Sequence, residues 1–217
     1  MSGLLICVGG VLTIIILSEL IWRRKLLKGE FQRKFVHITG GTFAAFWPWL
    51  ISWRAIQLLG LAMLVGVLAN RYHKFSHFAD GVRRETYGDI FSPLAIIICA
   101  TLTNESVFFA IAILHLSLAD GLAAVIGVHY GKRWEYKVFL RQTKTVIGSM
   151  TFWLVSLAIL GGGIPFAADL IPYQTYVMLL LFLPPILTAV ESASPLGSDN
   201  ITVPIAAVVA LNIARQF

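Results

Sequence analysis

Residues 114–132, LHLSLADGLAAVIGVHYGK, decide how the rest of the chain is read. With the residues before them they form an apolar run over about 106–128, long enough to cross a bilayer. Asp120 stands inside it. A carboxylate at membrane depth costs about 2.5–3.5 kcal/mol on insertion scales, so it has to face a helix bundle or a polar cleft, and it marks function by default. Ser117, Ala124, Gly127 and Gly131, at i−3, i+4, i+7 and i+11, share its helical face and let a neighbouring helix or a ligand come close to the backbone. The plainer alternative is small-residue packing, with Asp120 satisfied by one buried hydrogen bond.

The composition agrees with a membrane setting. The 217 residues are 58% hydrophobic and 13% charged, with a mean hydropathy of +0.80, whereas soluble domains carry about 25% charged residues. The length suits one membrane-embedded catalytic domain over residues 1–217, without a separate soluble module. Cys7 and Cys99 both fall in apolar runs and have neither CxxC spacing nor a His/Cys cluster, which argues against disulfide or zinc scaffolding. The first apolar run begins almost at Met1 and lacks a basic flank and a small-residue cleavage site, so it reads as a retained helix.

Apolar stretches fall at about 3–22, 38–52, 55–69, 90–103, 106–128, 146–162, 173–190 and 200–214. They predict an all-α, polytopic membrane protein with seven to eight transmembrane helices. Segments 23–37, 70–89 and 129–145 hold six, four and five of the basic residues, fifteen of the seventeen Lys and Arg; only Arg54 and Arg215 fall on the other side. The positive-inside rule puts these segments, and the 191–199 turn, in the cytosol with the N-terminus outside. The net charge of +6 is therefore a property of membrane-flanking loops and does not point to nucleic acid.

Most unusual polar groups gather toward that same side. Lys144 and Thr145 precede a helix whose first turn holds Gly148 and Ser149; a cation, hydroxyls and free N–H groups at a helix N-terminus make a phosphate seat. Alternatively, Lys144 is one more positive-inside residue. In VESASPLGSDNITVP (190–204), Glu191 closes one apolar span and Asp199 and Asn200 open the next. Two carboxylates and an amide facing Asp120's side would suit Mg²⁺, which takes oxygen ligands; Asp199 and Asn200 could equally cap the last helix. RKFVH (33–37) and RRETYGDIFSP (83–93) also lead into spans, where charged runs commonly contact lipid headgroups. His73, His77 and Asp80 have metal-like spacing without a further ligand, which is weak support for zinc. GVHYGK (127–132) falls one residue short of a P-loop, and GxGxxG, HExxH and GxSxG are absent.

Five blocks in order, RKFVHITGG (33–41), ETYGDIFSPLA (85–95), ADGLAAVIGVHYGK (119–132), KTVIGS (144–149) and VESASPLGSDNITVP (190–204), resemble the membrane kinases of lipid alcohols that use CTP. That family includes dolichol kinase, phytol and farnesol kinase and the CTP-dependent diacylglycerol kinase of yeast. The length and the VES…DNITVP ending are similar to the phytol kinase branch and its short prokaryotic relatives. The resemblance implies an α-helical enzyme of a prokaryotic plasma membrane. It would move the γ-phosphoryl of CTP, with Mg²⁺ or another divalent cation, onto a lipid hydroxyl at the cytosolic face. Phytol-like isoprenoids, polyprenol, dolichol and diacylglycerol are all candidate acceptors, and the oligomeric state is not legible.

On that resemblance Asp120 is assigned to the metal, with Asp199 and Glu191 as further metal or base groups. Lys144, Thr145, Gly148 and Ser149 would hold phosphates, assisted by Lys132 or Arg133; Asn200 would complete the polar cluster; and Glu85 would contact the nucleotide or orient the hydroxyl. Arg33, Lys34 and His37 would lie where a product phosphate emerges. The rivals are a phosphatidate cytidylyltransferase, whose long C-terminal lysine- and aspartate-rich signature is missing, a transporter, and a structural membrane subunit.

Overall fold

The computed structural model describes residues 2–27, 30–73, 86–138 and 143–217. Each apolar stretch carries a helix: α1 (Ser2–Arg23), α2 (Glu30–Ala45), α3 (Trp53–His73), α4 (Gly88–Leu102), α5 (Ser106–Leu114), α6 (Asp120–Tyr130), α7 (Val146–Gly163), α8 (Tyr173–Ala193) and α9 (Asp199–Ala214). A π-turn over His115–Ala119 joins α5 to α6, so that Ser106–Tyr130 is one 25-residue span. The protein is a polytopic all-α membrane protein. Among the described residues five helices are long and apolar enough to cross a membrane: α1, α3, the 106–130 span, α7 extended to Ala167, and α8. At 1.5 Å per residue, the 15 residues of α4 and 16 of α9 reach only about 22–24 Å, short of a ~30 Å hydrocarbon core.

The 106–130 span is the axis of the bundle: 67% of its apolar window is buried, against 11% for both α1 and α3. Every residue from Phe108 to Ile113 is buried, and the surrounding core draws Ile96 and Cys99 from α4, Phe152 and Leu160 from α7, Leu187 from α8 and Val208 from α9. The outer helices instead present leucines and isoleucines outward, as lipid-facing surfaces do.

Two expectations need correction. The 38–52 stretch is not one helix: α2 runs from Glu30 to Ala45, and a short 3₁₀ turn with Pro48 follows at Trp47–Trp49. Pro48 lacks an N–H and cannot extend the helix, so the helix lies earlier in sequence and carries Lys34 and His37 into the bundle. Lys34 is consequently a buried helix residue and not part of a charged loop. The 129–145 segment is not wholly irregular either: β1 (Glu135–Lys137) pairs antiparallel with β2 (Thr143–Thr145), Tyr136 opposite Lys144.

The π-turn has a local cause. His115 Nδ1 donates to Ile111 O at 2.8 Å and Ser117 Oγ donates to Ile113 O at 2.9 Å, side-chain bonds that compete with the helix's own ladder. The Asp120 N–H consequently bonds to His115 O and Ser117 O. Such π-turns are frequent at functional sites, and this one ends on Asp120. Helix α2 docks against it through small residues. A Cβ on Gly41 would lie 2.5 Å from Ser117 Cβ, and one on Gly121 would lie 2.2 Å from Ile38 Cγ1.

Candidate active site

Three carboxylates from three helices meet at one end of the bundle. Asp120 begins α6, Glu191 lies near the end of α8 and Asp199 begins α9, and one ligand oxygen from each lies within 4.8 Å of the others. The connection from α8 to α9 makes this possible. Leu196 and Gly197 both take positive φ, 54° and 84°, and reverse the chain within a few residues. Gly197 is required there twice over, since a Cβ would also lie 2.5 Å from Thr86 Oγ1 and 2.8 Å from Gly88 N.

Lysines neutralise the cluster from two sides. Lys34 Nζ on α2 donates to Asp120 Oδ2 at 2.5 Å, with both side chains at or below 10% exposure. Lys144 Nζ on β2 bonds to the Glu191 Oε1 carboxylate oxygen, to Glu191 O at 3.3 Å and to Asp199 Oδ2 at 3.3 Å. Burial works against the charge on Lys144, but the Glu191 and Asp199 carboxylates outweigh it and hold the ammonium above its ordinary range. His37 completes the group: Nε2 donates to Leu116 O at 2.6 Å and lies 3.2 Å from Asp120 Oδ2. Since a carbonyl only accepts, this ring carries its proton on Nε2.

The hairpin closes over the cluster. Tyr136 OH lies 2.6 Å from Ser149 Oγ and 3.0 Å from Ser192 Oγ, and Ser192 Oγ donates to Glu191 Oε2 at 3.2 Å. A hydroxyl chain thus runs from β1 through α7 and α8 to a carboxylate of the cluster.

Other anticipated residues take up different positions. Thr145 Oγ1 accepts the Gly148 N–H at 3.1 Å and so caps α7. Gly148 packs on α6, where a Cβ would lie 3.1 Å from Ala123 O and 3.5 Å from Gly127 Cα. Its N–H therefore serves the helix, and of the KTVIGS block Lys144 and Ser149 are the groups turned to the polar cluster and its hydroxyl chain. Lys132 and Arg133 are exposed in the turn entering β1. Asn200 is buried beside Asp199; its N–H donates to Asp199 Oδ1 at 3.0 Å, and its Oδ1 is a buried acceptor without a hydrogen-bond partner among the described residues. Asp199 thus places one oxygen at the start of α9 and turns the other to Lys144. Glu85, and the His77 and Asp80 of the zinc candidate, lie outside the described residues. Asp89, in the same block as Glu85, forms a two-pronged pair with Arg71 at 2.8 and 2.5 Å.

Sequence reasoning placed Lys34 and His37 at an exit and missed them as direct partners of Asp120. Their i, i+3 spacing, continued by Gly41 at i+7 of Lys34, was the available signal for one inward-facing stripe. Tyr136 and Ser192 had no such signal, because their meeting depends on the hairpin.

The donor set fits a hard cation. It consists of oxygens only, the ligand type that Mg²⁺ takes, from three side chains already gathered within 4.8 Å of one another. Over 198 residues, 88% of this chain and 82% of the other, the sequence is 30% identical to phytol kinase of Synechocystis sp.. The chain belongs to the lipid-alcohol kinase family, near phytol kinase. No family model and no solved structure matches it.

Proposed function

We propose that this protein moves the γ-phosphoryl of CTP onto the hydroxyl of a lipid alcohol, an isoprenoid alcohol of the phytol type being the first acceptor to try, at the cytosolic face of the membrane. The observation that carries the reading is the approach of Asp120, Glu191 and Asp199 to within 4.8 Å of one another beside Lys144, at one end of a membrane bundle. The relative's name supplies the lipid alcohol. The basic loops supply the orientation, through the positive-inside rule, with the N-terminus outside and the membrane a prokaryotic plasma membrane.

Phosphoryl transfer asks little covalent chemistry of a protein; it asks for neutralised charge, an in-line nucleophile and exclusion of water. Asp120, Glu191 and Asp199 would hold Mg²⁺, which when bound neutralises phosphate oxygens and orients the transferred group. Lys144 would turn from the carboxylates to the phosphates, and Ser149 and Tyr136 would bond further phosphate or ribose oxygens. As the lipid oxygen attacks the γ-phosphorus, the bond to the β-bridging oxygen breaks and CDP leaves. The hydroxyl proton passes to whichever of the three carboxylates lies nearest the acceptor. The acceptor's tail stays among the apolar helices, so its hydroxyl meets a soluble nucleotide only near the interface, where this cluster lies.

The test uses purified protein in detergent with CTP or ATP labelled at the γ-phosphate and a panel of phytol, farnesol, polyprenol, dolichol and diacylglycerol. The expected products are a labelled lipid monophosphate and CDP. Release of pyrophosphate with CMP joined to a lipid phosphate would establish the cytidylyltransferase instead, and binding without nucleotide turnover would favour a transporter.

A further inference from the structure

Every carboxylate of the cluster already carries an ammonium group: Asp120 has Lys34, and Glu191 and Asp199 share Lys144. A dication drawn to those oxygens has to displace lysines that are themselves buried. A displaced buried ammonium then needs a new anion, because an unpaired charge in the interior is strongly destabilising. A polyphosphate arriving with the metal supplies one. For Lys144 this exchange is part of the proposed function; Lys34, on another helix and on the other side of the cluster, has no role in it.

We propose that Lys34 is a second phosphate-binding residue, which gives up Asp120 for a phosphate oxygen of the nucleotide when the metal takes the carboxylate. This rests on the proposed function. Helix α2 is fixed against the π-turn through Gly41 and against α6 through Ile38, which meets Gly121, so the exchange is a movement of the Lys34 side chain alone. When the lysine leaves, the metal takes its place at Asp120, whose Oδ2 also lies 3.2 Å from His37 Nε2. The consequence is thermodynamic coupling: metal alone competes with Lys34 for Asp120, nucleotide alone competes with Asp120 for Lys34, and together they relieve each other, by the same factor in both directions.

Two measurements test this. In the first, Mn²⁺ binding without nucleotide is followed by electron paramagnetic resonance. Lys34→Gln is expected to bind Mn²⁺ roughly fivefold or more tightly than the unmodified protein, a typical coupling, while Lys34→Arg, which keeps the charge, stays near it. A merely structural lysine would give unchanged or weaker Mn²⁺ binding in Lys34→Gln, and that result overturns the proposal. In the second, CTP binding is measured in EDTA. Asp120→Asn releases Lys34 and is expected to gain roughly fivefold or more in CTP affinity, a gain that disappears in the Lys34→Gln/Asp120→Asn double variant. No gain, or a gain that survives loss of Lys34, overturns it. Failure of the proposed function is read separately, as the absence of any labelled lipid monophosphate from the unmodified protein. Lipid phosphorylation with nucleotide binding indifferent to Lys34 sinks the exchange alone.

Discussion

Two ion pairs at different places in the bundle use the same chemistry to different ends. Arg215 Nη1 meets Glu105 Oε1 at 2.7 Å with side chains 47% and 29% exposed; Lys34 meets Asp120 at 2.5 Å with side chains 5% and 10% exposed. The first sits in water-accessible surface, where such a pair contributes about 0–1 kcal/mol. The second has been taken out of solvent at an effective cost of several kcal/mol per ion, which the pairing alone barely offsets. A fold seeking stability gains little from the second. Its retention at the meeting point of α2 and the π-turn, a few ångströms from two further carboxylates, therefore marks a place where charge is kept for use.

That contrast can be broken or sharpened by substitution. The largest effect is expected from Asp120→Asn, which preserves volume and removes charge: lipid phosphorylation should fall on the order of a thousandfold or more, as for loss of about 4 kcal/mol of transition-state stabilisation, with normal membrane insertion. Retained turnover would put Asp120 on the structural side of the comparison. Lys144→Gln should come next, leaving Glu191 and Asp199 buried without their cation and costing about 3–5 kcal/mol by the usual effect of breaking a buried pair, read as lowered thermal stability in detergent. Gly131→Ala should cost about 1–3 kcal/mol by overpacking, because a Cβ there would lie 2.5 Å from both Gly127 O and Thr145 Oγ1; an unchanged melting temperature would show that the hairpin junction yields freely. Tyr136→Phe removes one phenol from the hydroxyl chain and should cost about 1 kcal/mol, the worth of an ordinary hydrogen bond. Glu105→Gln should change stability by less than about 1 kcal/mol and leave turnover as it was. A large loss there would erase the distinction between the two pairs.

What the sequence disclosed, it disclosed through hydropathy and charge. Helices start and stop close to the apolar stretches because membrane-depth backbone has to satisfy its own hydrogen bonds. Asp120, Glu191, Asp199 and Lys144 stood out because charge beside or inside such stretches is costly. The same cue misled at α2. Lys34 looked like one of a run of loop cations because its burial is compensated by a residue 86 positions away, a contact that no local pattern encodes. Thr145 and Gly148 looked like a phosphate seat because a cap and a seat share one local signature; the close approach of Gly148 to Gly127 was what separated them. Tyr136 came to the cluster through a three-residue strand pairing, too short to leave a periodicity.

A metal centre built from these carboxylates is tested most directly by one titration: Mn²⁺ binding in the presence of CTP, compared between the unmodified protein and Asp120→Asn, Glu191→Gln and Asp199→Asn, each checked for folding by its elution profile. Loss of one ligand should weaken binding about tenfold or more in each variant, given the 10–100-fold effects typical of perturbing even the outer shell of a metal site. If all three folded variants bind Mn²⁺ as the unmodified protein does, the carboxylates do not form a metal centre and the account is contradicted.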